Sequence, residues 1–325
     1  MTHSEGAGLF GQSLYSLKAK DMYQDKGTKV QFSSADISEN DIREQMPAIL
    51  DTLLIDRTTS TSKKTRNIIW ANENYIQYGR YYGVSHQIKP KLITGHMGHI
   101  IIPRALKSQY VQKERTKSKA EVFTPTWVVK KQNDVIDAGY REDDLQTYIN
   151  RKWLEITCGE APYMATRYDM ETGSIVPLSE RVGFVDRKLS RINAEVNEKS
   201  EWQQLVEKAY KASYGFEWNG DSLLLARENL LYTYYDYHVA KWQDQPTYEN
   251  FATIANIISY NLFQMDGLKY IIPLSDKPKK VVKEQLTLFK INDIIKPEPK
   301  KAGKRVKIMN WATQKMESFD KGLDK

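Results

Sequence analysis

The chain reads as an α/β protein built on an open sheet, and three stretches predict it. Trp153-Leu-Glu-Ile-Thr-Cys-Gly-Glu-Ala-Pro-Tyr-Met164 runs from two hydrophobic residues into a carboxylate, then through small residues and a glycine to Pro162. Proline is favoured in the first helical turn, so the stretch reads as strand, tight turn and short helix. A second helix is expected over Trp202 to Ala212, a strand at Tyr214-Gly-Phe-Glu217, and a long helix from Ser222 to about Lys241. Ile254, Ile257, Ile258 and Leu262 then continue the apolar pattern towards Phe263-Gln-Met-Asp266. Strands alternating with helices argue for a parallel sheet, in which ligands bind beyond the carboxyl ends of the strands.

Composition bounds what such a chain can be. Its 325 residues suffice for one large or two ordinary domains, at 40% hydrophobic and 27% charged. No stretch approaches the roughly 18 apolar residues of a membrane span, and Met1-Thr-His-Ser-Glu-Gly-Ala-Gly lacks a signal pattern, so a cytoplasmic location is the expectation. The single cysteine, Cys158, excludes an internal disulfide and any multi-cysteine metal site, and reads as a packed turn residue. The net charge of +7 suits an acidic partner. Lysines crowd the stretch from Lys277 to Lys307, which reads either as a solvated tail or as an arm for phosphates or an acidic subunit.

In chain order, residues 1–40 form a polar, loosely ordered lead, 41–119 an α+β accessory region, 120–275 the core and 276–325 a basic C-terminal segment. Asp41 to Ile55 has helical spacing through Ile42, Met46, Ile49, Leu50, Leu53 and Leu54. Asn67-Ile-Ile-Trp70 is strand-like. Tyr75, Tyr78, Tyr81 and Tyr82 interleave with Arg80, a cluster that suits half-buried tyrosines more often than base stacking. Leu92 to Pro103 reads as a hairpin around Gly-His-Met-Gly, with His96 and His99 as turn residues, since no third ligand follows at metal spacing. Asp169 to Ser200 reads as an insertion with a turn at Glu171-Thr-Gly173 and a strand at Val182-Gly-Phe-Val-Asp186.

Taken in order, Glu121-Val-Phe-Thr-Pro-Thr-Trp127, the loop at 153–164, Tyr214 to Trp218 with Leu223 to Leu231, and Asn261 to Leu268 resemble the cofactor-binding half of the bacterial N6-adenine DNA methyltransferases. From about Leu54 onward the chain also looks like proteins described as restriction endonuclease subunit M. The resemblance implies a class I methyltransferase (Rossmann-like) sheet and S-adenosylmethionine as cofactor. It assigns Phe123, Thr124 and Pro125 to the methionine end of that cofactor. Glu155 stands where the family has the aspartate that opens the loop, followed by Thr157, Cys158 and Gly159, while Glu160, Ala161 and Pro162 replace the usual Ser-Gly-x. Glu217 takes the place of the ribose-binding carboxylate, with Asp186 as its rival. Trp218 is the candidate to cover the adenine ring and Asp266 to accept from its amino group; a helix-ending Asp266 with Gly267 as the C-terminal turn is the alternative.

The family's base-binding Asn/Asp-Pro-Pro-Tyr/Phe loop has no counterpart, because the chain contains no Pro-Pro pair and stops with roughly the fourth strand reached. A flipped adenine needs such a loop to hold its amine. No catalytic residue is therefore assigned here. The expected role is the S-adenosylmethionine-binding subunit of a DNA adenine-N6 methyltransferase, acting on double-stranded DNA. A partner protein would carry the missing loop, with a restriction or specificity subunit as a further partner. The competing readings are an inactive DNA-binding or scaffolding subunit of a restriction complex and, further off, an RNA or protein methyltransferase.

Overall fold

A computed structural model describes residues 35–119, 124–276 and 302–322. Readings that fall on residues 1–34, Phe123 and 277–301 lie outside these described residues. The described residues belong to one compact unit and are mixed α/β.

The helical pattern at 41–55 becomes two helices, α1 (Glu39–Gln45) and α2 (Pro47–Leu54). The break has a local cause: Pro47 has no N–H and pushes Met46 out of the helical region, to φ −143°. Next, Asn67 to Trp70 makes only isolated bridges, Ile55 with Asn67 and Ile69 with Gln87, so it is no true strand. The expected hairpin at 92–103 is also absent. Pro90 opens a one-turn helix, α3 (Pro90–Ile93), and Gly95, at φ +67°, starts a 3-10 turn over His96 and Met97. Helices α4 (Gln109–Lys119), α5 (Thr126–Asp137) and α6 (Leu145–Asn150) follow.

The central sheet has three parallel strands in the order β1 (Trp153–Glu155), β2 (Ser213–Glu217), β3 (Leu262–Gln264). Trp153 is registered with Ser213, and Gly215 with Leu262. Between β1 and β2 lie α7 (Phe184–Glu195) and α8 (Lys199–Lys211); between β2 and β3 lie α9 (Gly220–Trp242) and α10 (Tyr248–Asn261). The apolar run at 182–186 is thus the entry to a helix. Gly183 is its N-cap, and the Asp186 carboxylate accepts from the Gly183 amide at 3.2 Å, which fixes the run as a first helical turn. The predicted helix at Pro162 is a single turn closed by Met164 and Ala165 amides on the Ala161 carbonyl. It goes no further because the next amide, Thr166, donates to Asp186 at 2.7 Å.

Alternation sorts the strand side chains into two faces. Trp153, Glu155, Gly215 and Glu217 share one face, where Trp153 stacks on Phe184 of α7 at 5.0 Å between centroids. Leu154, Tyr214, Phe216 and Phe263 share the other. That second face is covered by an antiparallel hairpin, β4 (Lys307–Asn310) and β5 (Lys315–Ser318), whose following residue Phe319 packs on both Phe216 and Phe263. Among the described residues the parallel sheet has three strands, and the hairpin forms a separate sheet.

Candidate functional site

The carboxyl ends of β1 and β2 place Glu155 and Glu217 on the same face, two residues apart in register. The β1 loop crosses between them with left-handed backbone at Thr157 (φ +48°), Gly159 (φ +54°) and Ala161 (φ +61°). Glycine adopts that conformation freely, whereas an L-residue pays on the order of 1–2 kcal/mol. The loop is held by its surroundings: Cys158 N–H donates to the Phe216 carbonyl at 2.8 Å, and the Asn229 side-chain amide of α9 donates to the Glu160 and Ala165 carbonyls at 3.0 Å each.

Each carboxylate here has a separate task. The Glu217 carboxylate accepts from the Gly159 amide at 2.9 Å and from the Asn219 amide at 3.0 Å, tying the first loop to the second strand end. Burial raises its pKa, and those amide bonds pull against the shift. Glu155 accepts from the Tyr163 and Met164 amides at 3.2 and 2.9 Å, and burial pushes its pKa up to about 8. Glu160 points inward, accepting from the Arg104 amide at 2.8 Å and the Tyr168 hydroxyl at 2.7 Å. Cys158 is buried, and burial pushes its thiol well up, so it is no ready thiolate nucleophile.

Asp186 accepts through one oxygen, Oδ2, from the Thr166 amide, the Thr166 hydroxyl and the Gly183 amide, while its buried Oδ1 has no hydrogen-bond partner among the described residues. It is a helix-capping group, fully buried, raised to about 6 by desolvation. Trp218 is half-buried, and its indole N–H donates to the Ala71 carbonyl at 2.8 Å. Asp266 lies two residues beyond β3 and accepts from the Leu268 and Lys269 amides at 3.0 and 3.2 Å. It begins a turn after a strand, so the helix-ending alternative fails: α10 already stops at Asn261. Thr124 and Pro125 lead into α5, whose Asn133 donates to the Tyr163 carbonyl at 3.1 Å and so lies against the β1 loop.

No family model, curated protein or solved structure matches the chain.

Several residues that shape this end of the sheet have roles that the sequence does not show; Asp221, readable there only as a cap for the helix after Glu217, is the first of them, and Asn219 is the N-cap. Asp221 in the first turn of α9 is fully buried. It accepts from Tyr75 O–H at 2.8 Å and Asn72 at 2.8 Å, and pairs with Arg115 of α4 at 3.3 Å. Burial alone would raise its pKa, but Arg115 and Lys107 hold it below the usual range. Gln264 receives the Ile69 amide at 2.9 Å and donates to the Ile69 and Trp218 carbonyls at 2.8 and 2.7 Å. Gly220 is required here, since a Cβ would stand 2.1 Å from the Ile69 carbonyl oxygen. The helix read as packing alone also buries Arg227, which donates to the carbonyls of Ile55 at 3.0 Å and Leu262 at 2.6 Å. Only the unusual density of polar residues inside Leu223 to Leu231 signalled this in the sequence. His96 and His99 are exposed, and among the described residues no group of three or more His, Cys, Asp or Glu is placed to hold a metal ion.

Proposed function

We propose that this chain is the S-adenosylmethionine-binding subunit of a DNA adenine-N6 methyltransferase in a restriction–modification system, of the class I methyltransferase fold. The observation that carries the reading is the bond from the Gly159 amide to Glu217, which joins the β1 loop to the β2 carboxylate at the ligand-binding edge of a parallel sheet. Glu217 would hold the ribose hydroxyls through its remaining lone pairs. Of residues 157–161, Thr157 and Gly159, the two that are not buried, would face the methionine end together with Thr124 and Pro125, while buried Cys158, Glu160 and Ala161 would hold the loop's shape, and Trp218 and Asp266 would flank the adenine. No group in this set holds a target base, so a partner protein supplies the Asn-Pro-Pro-Tyr loop and double-stranded DNA is the substrate. Among the described residues no helix is long and apolar enough to cross a membrane.

The test is transfer of labelled methyl from S-adenosylmethionine to duplex DNA by each chain separately and together. Activity only in the mixture is expected, and robust adenine methylation by this chain alone would refute the division of labour. A second reading, an inactive scaffolding subunit, draws support from the covered start of α9, where the Gly220 amide donates to Trp70 and Asp221 is enclosed by Asn72, Tyr75 and Arg115. Calorimetry separates the two, because a scaffold binds no S-adenosylmethionine even with the partner present.

A further inference from the structure

The second face of the sheet carries a cleft of about 780 Å³ at the amino-terminal end of β1 and β2, away from the loop at 156–163. Its floor is the exposed part of the strand surface, with Tyr214 and Leu154 side by side and Trp311 at one wall. Tyr214 is half-buried, and its ring makes no aromatic contact among the described residues. Trp311 is held in place by a bond from its indole N–H to Asn261 at 2.8 Å and by the edge of Tyr260. Lys152, Lys208, Lys211 and Lys321 stand around this floor; Glu317 lies among them, 4.0 Å from Lys321, and Glu207 just outside pairs with Lys211 at 3.2 Å, which leaves the rim net positive. Lys211 lies over the Trp311 ring at 5.5 Å, so aromatic surface and positive charge are already juxtaposed.

Charge decides between occupants. The stretch 277–301 of this same chain has eight lysines against three acidic residues, and like charge opposes its entry. A flat apolar group bearing negative charge satisfies both the aromatic floor and the lysine rim. We infer that the cleft binds a nucleotide unit, with the base on Tyr214 and the phosphate on Lys208 and Lys211, and that its source is a single nucleic-acid strand. Ring stacking tolerates any base, and lysines track the backbone without reading sequence. Nothing in this site depends on methyl transfer or on S-adenosylmethionine, so it stands or falls separately from the function proposed above.

The experiment uses the full chain without cofactor and fluorescein-labelled (dT)8, followed by anisotropy over a series of salt concentrations. Binding is expected, with a salt slope near −0.7 per phosphate contact. Lys208→Ala with Lys211→Ala should weaken it about tenfold or more and flatten the slope by about 1.4. Tyr214→Ala should weaken it about tenfold with the slope unchanged, while Tyr214→Phe, which keeps the ring, retains affinity. Thermal melts identify any variant that fails to fold; Lys208→Gln with Lys211→Gln and Tyr214→Leu, which removes the ring but keeps apolar bulk, then carry the comparison. Competition by dTMP as strong as by (dT)8 would keep the chemistry and assign a free nucleotide as the source. Unchanged affinity and slope in the lysine variant would overturn the inference. So would displacement by poly-L-glutamate as effective as by (dT)8 with no effect of Tyr214→Ala, which would make the cleft a site for an acidic polypeptide.

Discussion

Replacing Glu155 by glutamine should change how stability depends on pH, and the size of the change follows from its position. The carboxyl group is buried at the end of β1, has two backbone amides as partners, and is raised from its ordinary 4.5 to about 8, chiefly by desolvation with Glu217 adding to it. A rise of roughly 3.5 pH units at about 1.36 kcal/mol each makes ionisation in the fold cost on the order of 5 kcal/mol. The sign follows from proton linkage. Between pH 4.5 and 8 the folded chain keeps a proton that the unfolded chain has lost, so the contribution of this group is complete below 4.5 and declines as pH rises to about 8. Glutamine cannot ionise. It also leaves one amide facing its NH2 group, a constant penalty of roughly 1–3 kcal/mol. Urea unfolding of both proteins from pH 4 to 9 should therefore show the variant less stable at low pH, gaining on the wild type by several kcal/mol as pH rises, and most steeply between 5 and 8. A difference that stays constant within about 0.5 kcal/mol over that range would refute the assignment of a buried, protonated carboxyl at β1.

Four further outcomes are expected. Glu217→Ala should weaken S-adenosylmethionine binding by about 1–3 kcal/mol in calorimetry, the range for a charge-assisted hydrogen bond, and the reverse ranking with Asp186→Ala in stability-matched samples would point to the other acid. Asp186→Ala should cost roughly 1–3 kcal/mol of stability through the lost α7 cap and the orphaned Thr166 amide, read from urea midpoints. Arg227→Leu should cost about 3–5 kcal/mol, because carbonyls of α2, α10 and β3 lose their shared donor inside the core; a shift below 1 kcal/mol would show that water replaces it. Gly220→Ala should cost at least about 2 kcal/mol and open the chain near residues 60–90 to proteolysis, since the new methyl group collides with backbone at Ile69.

What the sequence revealed and what it hid divide along the range of the interactions involved. The strands at 153–155, 213–217 and 262–264 and the helices at 199–211 and 220–242 carry their patterns locally, as apolar periodicity bounded by caps and turns, and were found within a few residues. The run at 182–186 reads as a strand in the sequence because a short apolar stretch looks the same at the start of a helix as in a buried strand, and only Asp186 reaching back to Gly183 decides for the helix. At 90–103 the β-rich composition lost to Pro90 and to a left-handed Gly95. At the candidate site, Glu155 and Glu217 could be placed at strand ends from sequence. Asn72, Arg115 and Gln264 could not, because their roles exist only once residues more than a hundred positions away arrive beside them.

The bonds between Ile69 and Gln264 also set a schedule for synthesis. They join groups 195 positions apart, and at roughly 5–20 residues per second the ribosome needs on the order of 10–40 s to deliver the second after the first. Until then the hydrophobic residues around Ile68 and Trp70, fully buried in the finished fold, lack the completed sheet edge at β3. The nascent chain thus displays apolar surface around Ile68 and Trp70 throughout that interval. Its yield in a cell should therefore track chaperone supply more closely than the stability of the completed protein would suggest.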